Sequence, residues 1–122
     1  MIEEMEFKYL VCSPDLNAHG SLHGGVLLRW ADESSGMHAK IMTKKVCVTR
    51  FIDQINFISK ANLGDIMKIQ STVVYCGNTS ICFEINIFEE ITGRKIAHIK
   101  NIIFVSVDKD GKAIDHQLKK SY

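Results

Sequence analysis

Residues Pro14 to Glu33 read PDLNAHGSLHGGVLLRWADE, and the change of texture inside that stretch decides the fold. Its first half continues a loop, Cys12 to about Leu22, crowded with the turn formers Ser13, Pro14, Asp15, Asn17 and Gly20. Gly24 and Gly25 follow, and from Val26 to about Thr43 the chain has no proline and one glycine, Gly36. This is the one convincing helix. At roughly 100° per residue, Leu27, Trp30, Ala31, Met37, Ile41 and Met42 share a broad face predicted to pack on a sheet. Arg29, Glu33 and Lys40 lie on the opposite arc.

Outward from the helix the chain reads as strand. Glu6 to Val11 precedes the loop as a first edge strand. After the helix, Val46 to Ile58, rich in β-branched and aromatic residues, reads as a long strand. Ile66 to Tyr75, Ser80 to Phe88 and Lys95 to Val107 follow, separated by the turn signals Gly64-Asp65, Gly77-Asn78 and Thr92-Gly93. Turns that short imply antiparallel neighbours, so the last two strands form a hairpin with Ile85, Ile87, Ile96, Ile99, Ile102 and Phe104 as its apolar side chains. The expected architecture is α+β, one long helix on an antiparallel sheet of five strands in a single domain over residues 1–122. The polar segment from Lys112 to Tyr122 is expected to be a loose end.

Composition narrows the function classes. Fifteen basic and fourteen acidic residues leave a formal charge of +1, which gives no electrostatic case for nucleic acid or an acidic membrane surface. The four cysteines, Cys12, Cys47, Cys76 and Cys82, form no CxxC pair, and no Cys/His cluster has zinc-ligand spacing. Reduced core cysteines are the simpler reading. Met1 to Glu6 carries three glutamates where a secretory signal is basic, and no apolar run approaches the roughly 20 residues of a membrane helix. The expectation is a cytoplasmic protein with no metal and no membrane insertion.

Two features of the helix suggest chemistry. Asp32 falls between the apolar and charged arcs, and its neighbours one turn and two turns on are the small residues Ser35, Gly36 and Ala39. That leaves room for a ligand beside a carboxylate, although a boundary carboxylate facing water fits the same periodicity. Gly24 and Gly25 leave the first-turn amides open, and a helix N-terminus favours developing negative charge, as in an oxyanion hole. An ordinary glycine-rich helix entry fits equally.

The order Asn17, Gly20, His23-Gly24-Gly25, with Asp32 seven residues after Gly25, resembles the acyl-CoA hydrolase branch of the hotdog superfamily. Asn56-Phe57, Leu63-Gly64-Asp65, Gly77-Asn78-Thr79-Ser80 and Phe104 to Asp108 agree with it along most of the chain. The resemblance implies a hotdog fold, a central helix wrapped by the sheet, and hydrolysis of an acyl-CoA thioester without a cofactor. It implies that Asp32 is the catalytic carboxylate, as general base or nucleophile, and that Asn17 orients the water or thioester. Gly24 and Gly25 are implied to polarise the thioester carbonyl, and Asn56 and Gly77, Asn78, Thr79 and Ser80 to contact the acyl-CoA. It further implies a homodimer with shared active sites, assembling to a tetramer or hexamer.

The departures are specific. His23 stands where some relatives have Phe, open to substrate contact or to a packing or hydrogen-bonding role. Asn78 stands where the family often has a basic residue, which leaves Lys60, Arg94 and Lys100 as candidates for the coenzyme A phosphates. A non-catalytic acyl-CoA-binding domain is the alternative function, and a hotdog dehydratase a third.

Overall fold

The structure, a computed structural model, describes residues 2–118. Its elements follow the expected order: β1 (Glu4–Leu10), a single 3-10 turn (Ser13–Asp15), α1 (Gly24–Thr43), β2 (Val46–Phe57), β3 (Ile66–Cys76), β4 (Ser80–Glu89) and β5 (Lys95–Val107). Lys44, in the left-handed region at φ 58°, stops the helix, and its amide donates to the Lys40 carbonyl.

All five strands form one antiparallel sheet in the order β1-β3-β4-β5-β2. The short turns fix the β3-β4-β5 meander. The helix carries the chain from one edge to the other, so β2 pairs with β5, about 50 residues away in sequence, and both β1 and β2 are edges. A register shift between Thr49 and Phe51 and a left-handed Gln54 at φ 55° interrupt β2. Such interruptions bend an edge strand.

The core lies between α1 and the sheet, with Phe83, Met67, Ile69, Ile85, Ile87, Ile99 and Ile102 fully buried. Tyr9 of β1 stacks on Trp30, with ring centroids 4.8 Å apart and 12° between planes. The helix face differs from the predicted one. Leu27, Trp30 and Ala31 are buried, but Met37 and Ile41 are 43% and 45% exposed, and Met42 is half-buried. Ser34, Ser35, His38, Ala39 and Thr43 fill the face instead.

Counting apolar residues alone misplaces this face because the buried hydroxyls are satisfied locally. Ser35 Oγ donates to the Ala31 carbonyl at 2.8 Å and Thr43 Oγ1 to the Ala39 carbonyl at 2.9 Å. His38 is fully buried, with Nε2 2.8 Å from the Ile2 carbonyl and Nδ1 2.9 Å from Ser71 Oγ. A carbonyl only accepts, so Nε2 carries the proton and Nδ1 accepts from the serine hydroxyl. Burial holds this imidazole's pKa below its usual 6.5.

The segment 112–118 is not loose. Ala113 bridges to Val107, the Ile114 amide donates to the Ser106 carbonyl at 2.9 Å, and Leu118 packs against the core. Its polar composition suggested a free end, but His116 is buried through hydrogen bonds rather than apolar area. Residues 119–122 of that expected tail lie outside the described residues.

Candidate active site

The loop before the helix is organised by Asn17. Its Oδ1 accepts from the amides of His19 at 2.9 Å and Ser21 at 3.2 Å, and its Nδ2 donates to Ser21 Oγ at 3.2 Å. The Asn17 amide donates to the Ser21 carbonyl at 2.7 Å, and Gly20, at φ 81°, makes the tight return. A carboxamide that serves three groups of its own loop is fixed in place before any ligand arrives. Asn17 opens onto a cavity of about 390 Å³ with His19, Gly24, Leu27, Phe57 and Lys60 on its walls.

The helix entry divides the two glycines. His23 is the N-cap, and its Nδ1 accepts from the Gly25 amide at 2.9 Å. Gly25 therefore does not offer a free donor, contrary to its expected role. Its lack of a side chain serves the cap, since a Cβ there would come within 2.9 Å of the His23 ring. The amides of Val26 and Leu27 both donate to the His23 carbonyl, at 3.0 and 3.1 Å. Among the described residues this leaves the Gly24 N–H as the first-turn amide without an acceptor, on the wall of the Asn17 cavity. Phe57 closes in behind it, with its ring 3.4 Å from where a Gly24 Cβ would sit. A separate small apolar crevice, of about 10 Å³, is lined by Leu27, Leu28, Ile55, Phe57, Ile87, Ala97 and Ile99 and shares Leu27 and Phe57 with that cavity.

Asp32 lies elsewhere. It borders a second cavity, of about 430 Å³, with Glu33, Gly36, Lys40, residues 46–49 of β2 and Phe104. Gly36 permits the close approach expected of it, because a Cβ there would meet Phe104 at 3.3 Å. Sequence reasoning missed Thr49. Its Oγ1 donates to Asp32 Oδ1 at 2.5 Å, a charge-assisted bond that fixes the carboxylate on the cavity wall. Thr49 sits in a β-branched run where threonine is ordinary strand composition, so only the strand's place beside the helix singles it out.

The structure thus joins Asn17 to Gly24 and Asp32 to Thr49, but within one chain it does not join the two pairs. Asn56 is exposed on β2, paired in register with His98, and borders neither cavity. Gly77, Asn78, Thr79 and Ser80 form the tight β3–β4 turn, closed by the Gly77 amide on the Ser80 carbonyl at 2.9 Å. Of the basic candidates, Arg94 is engaged: its guanidinium donates to Ser59 Oγ at 3.1 Å and to the Lys60 carbonyl, and pairs with Asp65 at 3.4 Å. It braces the 59–65 loop. Lys60 alone of the three borders the Asn17 cavity. Burial pushes the thiols of Cys76 and Cys82 up, which suits core filling rather than nucleophilic chemistry.

A family model described as the thioesterase superfamily matches residues 19–96. Acyl-CoA thioester hydrolase YciA of Salmonella typhimurium is 30% identical, over 89% of this chain and 86% of the relative. An uncharacterised acyl-CoA thioester hydrolase of Bacillus subtilis, YkhA, is 27% identical over 82% of this chain, and the aligned part is 60% of that relative's length. Among solved structures, an apo-hexameric acyl-CoA thioesterase superposes with a TM-score of 0.81 at 28% identity, covering 92% of this chain and 74% of that one.

Proposed function

This chain belongs to the thioesterase superfamily, and from that premise we propose that it hydrolyses acyl-CoA thioesters to a carboxylic acid and free coenzyme A. The observation that carries the reading is the open Gly24 amide at a helix N-terminus, on the wall of a cavity also lined by the apolar Leu22, Leu27, Phe57 and Ile96. A thioester carbonyl seated there is polarised by an N–H and by the positive end of the helix dipole, while the apolar walls of the same cavity face the acyl chain. Asp32, held by Thr49, supplies the carboxylate, either deprotonating water or attacking to form a transient anhydride. In the first case water adds to the carbonyl carbon and the thiolate of coenzyme A departs. In the second the anhydride is hydrolysed afterwards. Neither route draws on a metal or redox cofactor.

The separation of the two cavities calls for a second copy. The edge strand β2 is twelve residues long and exposes Val46, Val48, Phe51 and Phe57, while α1 exposes Met37 and Ile41 nearby. An edge of that length and character is stable when another strand covers it. A twofold copy pairing along β2 brings the Asn17–Gly24 cavity of one protomer against the Asp32–Thr49 cavity of the other. Tetramers or hexamers of such dimers are the proposed assemblies, and the cytoplasm the proposed compartment. No helix among the described residues is long and apolar enough to cross a membrane.

The test is release of free thiol from a short-to-long series of acyl-CoA substrates, followed continuously with a chromogenic disulfide. Turnover on at least one chain length is expected. Saturable binding of acyl-CoA with no thiol release on any of them would replace the hydrolase with a binding module. Label in Asp32 after a single turnover in ¹⁸O-water identifies an anhydride opened at the Asp32 carbon, because general-base attack by water sends all the label into the acid product.

A further inference from the structure

Three successive carbonyls of the Gly77–Ser80 turn are tied down by groups that follow β5 or end it. The Asn78 carbonyl accepts from the His116 amide at 3.1 Å, and the Thr79 carbonyl from the Ser106 amide at 2.9 Å. The Ser80 carbonyl accepts from His116 Nε2 at 3.0 Å. His116 is 3% exposed and Ser106 is 1% exposed, so these are interior bonds. The segment bearing His116 is itself braced. Ser106 Oγ donates to the Ile114 carbonyl at 2.5 Å, and Asp115 Oδ1 accepts from the Gln117 amide at 2.7 Å. Gln117, left-handed at φ 63°, turns the chain so that the Leu118 amide donates to His116 Nδ1 at 3.1 Å. One ring nitrogen must donate and the other accept, so the imidazole is the neutral Nε2–H tautomer, with both nitrogens on backbone.

A planar trans peptide directs its carbonyl and the following N–H to opposite sides. Holding the Asn78 carbonyl inward therefore turns the Thr79 N–H outward, away from the 112–118 segment. We propose that His116 is a positioning residue for coenzyme A: through the Asn78 and Ser80 carbonyls it holds the Gly77–Ser80 turn in the conformation that turns the Thr79 amide outward to the cofactor moiety of the substrate. The role rests on the reading of this turn as a coenzyme A contact. His116 touches neither the thioester nor Asp32, so its contribution is to binding of the nucleotide-bearing part and not to the chemical step.

The experiment compares acyl-CoA with the same acyl group on N-acetylcysteamine, which lacks the nucleotide. His116→Leu removes both ring hydrogen bonds, and KM for acyl-CoA is expected to rise about ten-fold with kcat within about two-fold. kcat/KM for the truncated thioester should not move. His116→Gln, whose amide NH₂ lies near the place of Nε2, should recover most of the KM. If His116→Leu does not fold, Ser106→Ala carries the same comparison with a rise of about three-fold, since it removes the Oγ bonds to the Ile114 and Thr79 carbonyls but keeps the Ser106 amide bond to Thr79. An unchanged KM in a folded variant, a fall in kcat instead, or equal losses on both substrates would overturn the proposal. Gly77→Val tests the turn directly, because its Cβ would lie 2.5 Å from Ser80 Oγ and displace that hydroxyl. If Gly77→Val raises KM for acyl-CoA and His116→Leu does not, the turn is a coenzyme A contact and His116 is not its brace. If neither moves KM, the reading of the turn falls and the proposal with it.

Discussion

Complementation between two inactive variants puts a number on the separation of Asn17 from Asp32. Each chain carries one Asn17–Gly24 cavity and one Asp32–Thr49 cavity, and in the proposed dimer every site takes one from each chain. Asn17→Ala and Asp32→Asn should each lower turnover by a factor of about 10²–10⁴, the usual contribution of a positioned base and its partner. Co-expressed in equal amounts, the chains assort at random. A site is intact when its Asn17 side comes from the Asp32→Asn chain and its Asp32 side from the Asn17→Ala chain. Each choice has a probability of one half, so about a quarter of sites recover. Pairwise sharing makes that fraction independent of whether dimers assemble further. The assay is thiol release per active-site equivalent from the unselected mixture, a different tag on each chain type serving only to verify equal amounts, with mixed wild-type chains as control. Activity no greater than the average of the two parents, in a sample shown to hold both chains, would mean that Asn17 and Asp32 act within one chain, and the edge-paired dimer would be wrong.

Three other outcomes follow from particular contacts. Asp32→Asn should fold normally, since Asp32 is half-exposed and its one side-chain bond is to Thr49, yet lose turnover by orders of magnitude. Full turnover on every acyl-CoA cleaved by the parent would remove Asp32 from the mechanism. Thr49→Val deletes the hydroxyl and keeps the shape, so kcat should fall about ten- to hundred-fold with little change in melting temperature, while an unchanged kcat would make the contact incidental. Stability should fall as the medium is acidified below pH 6.5. His38 is held neutral by burial, so the unfolded chain binds a proton that the folded chain refuses, and the loss continues down to the depressed folded pKa. A second loss begins below pH 4.5. There the Glu89 carboxylate, whose pKa is lowered chiefly by the Thr92 and Ile66 amides, must take up a proton. Urea midpoints against pH for the parent and His38→Gln check this, and a variant with the parent's slope between pH 6.5 and 5.5 would refute the assignment to His38.

The element order was legible because it is local. Strand and helix differ in the period of their apolar residues, and Gly64, Gly77 and Gly93 punctuate the strands, so four of the six long elements were located to within about a residue and α1 and β1 to within two. The burial of Ser34, Ser35, His38 and Thr43 was not legible, since Ser35 and Thr43 bond to their own helix while Ser34 and His38 meet partners on β1, β3 and Ile2, and neither kind of bond carries a mark in the local sequence.

Gly24, Gly25 and Asp32 stood out by their place on the helix and Asn17 only through the family resemblance, and neither signal showed that the Gly25 amide is taken by His23. A glycine and an amide read the same whether the amide is free or capped by a histidine two residues back.

The sequence by itself determined the helix, the meander and the polar residues gathered around the helix entry, since each depends on a dozen or so neighbouring residues. Tertiary structure decided the rest. β2 pairs with β5 across some fifty residues, and that pairing alone brings Thr49 to Asp32. The return of 112–118 to the β3–β4 turn buries a histidine that reads as part of a polar tail. Those contacts join residues far apart in the chain, where register and strand order, and not local preference, fix which atoms meet.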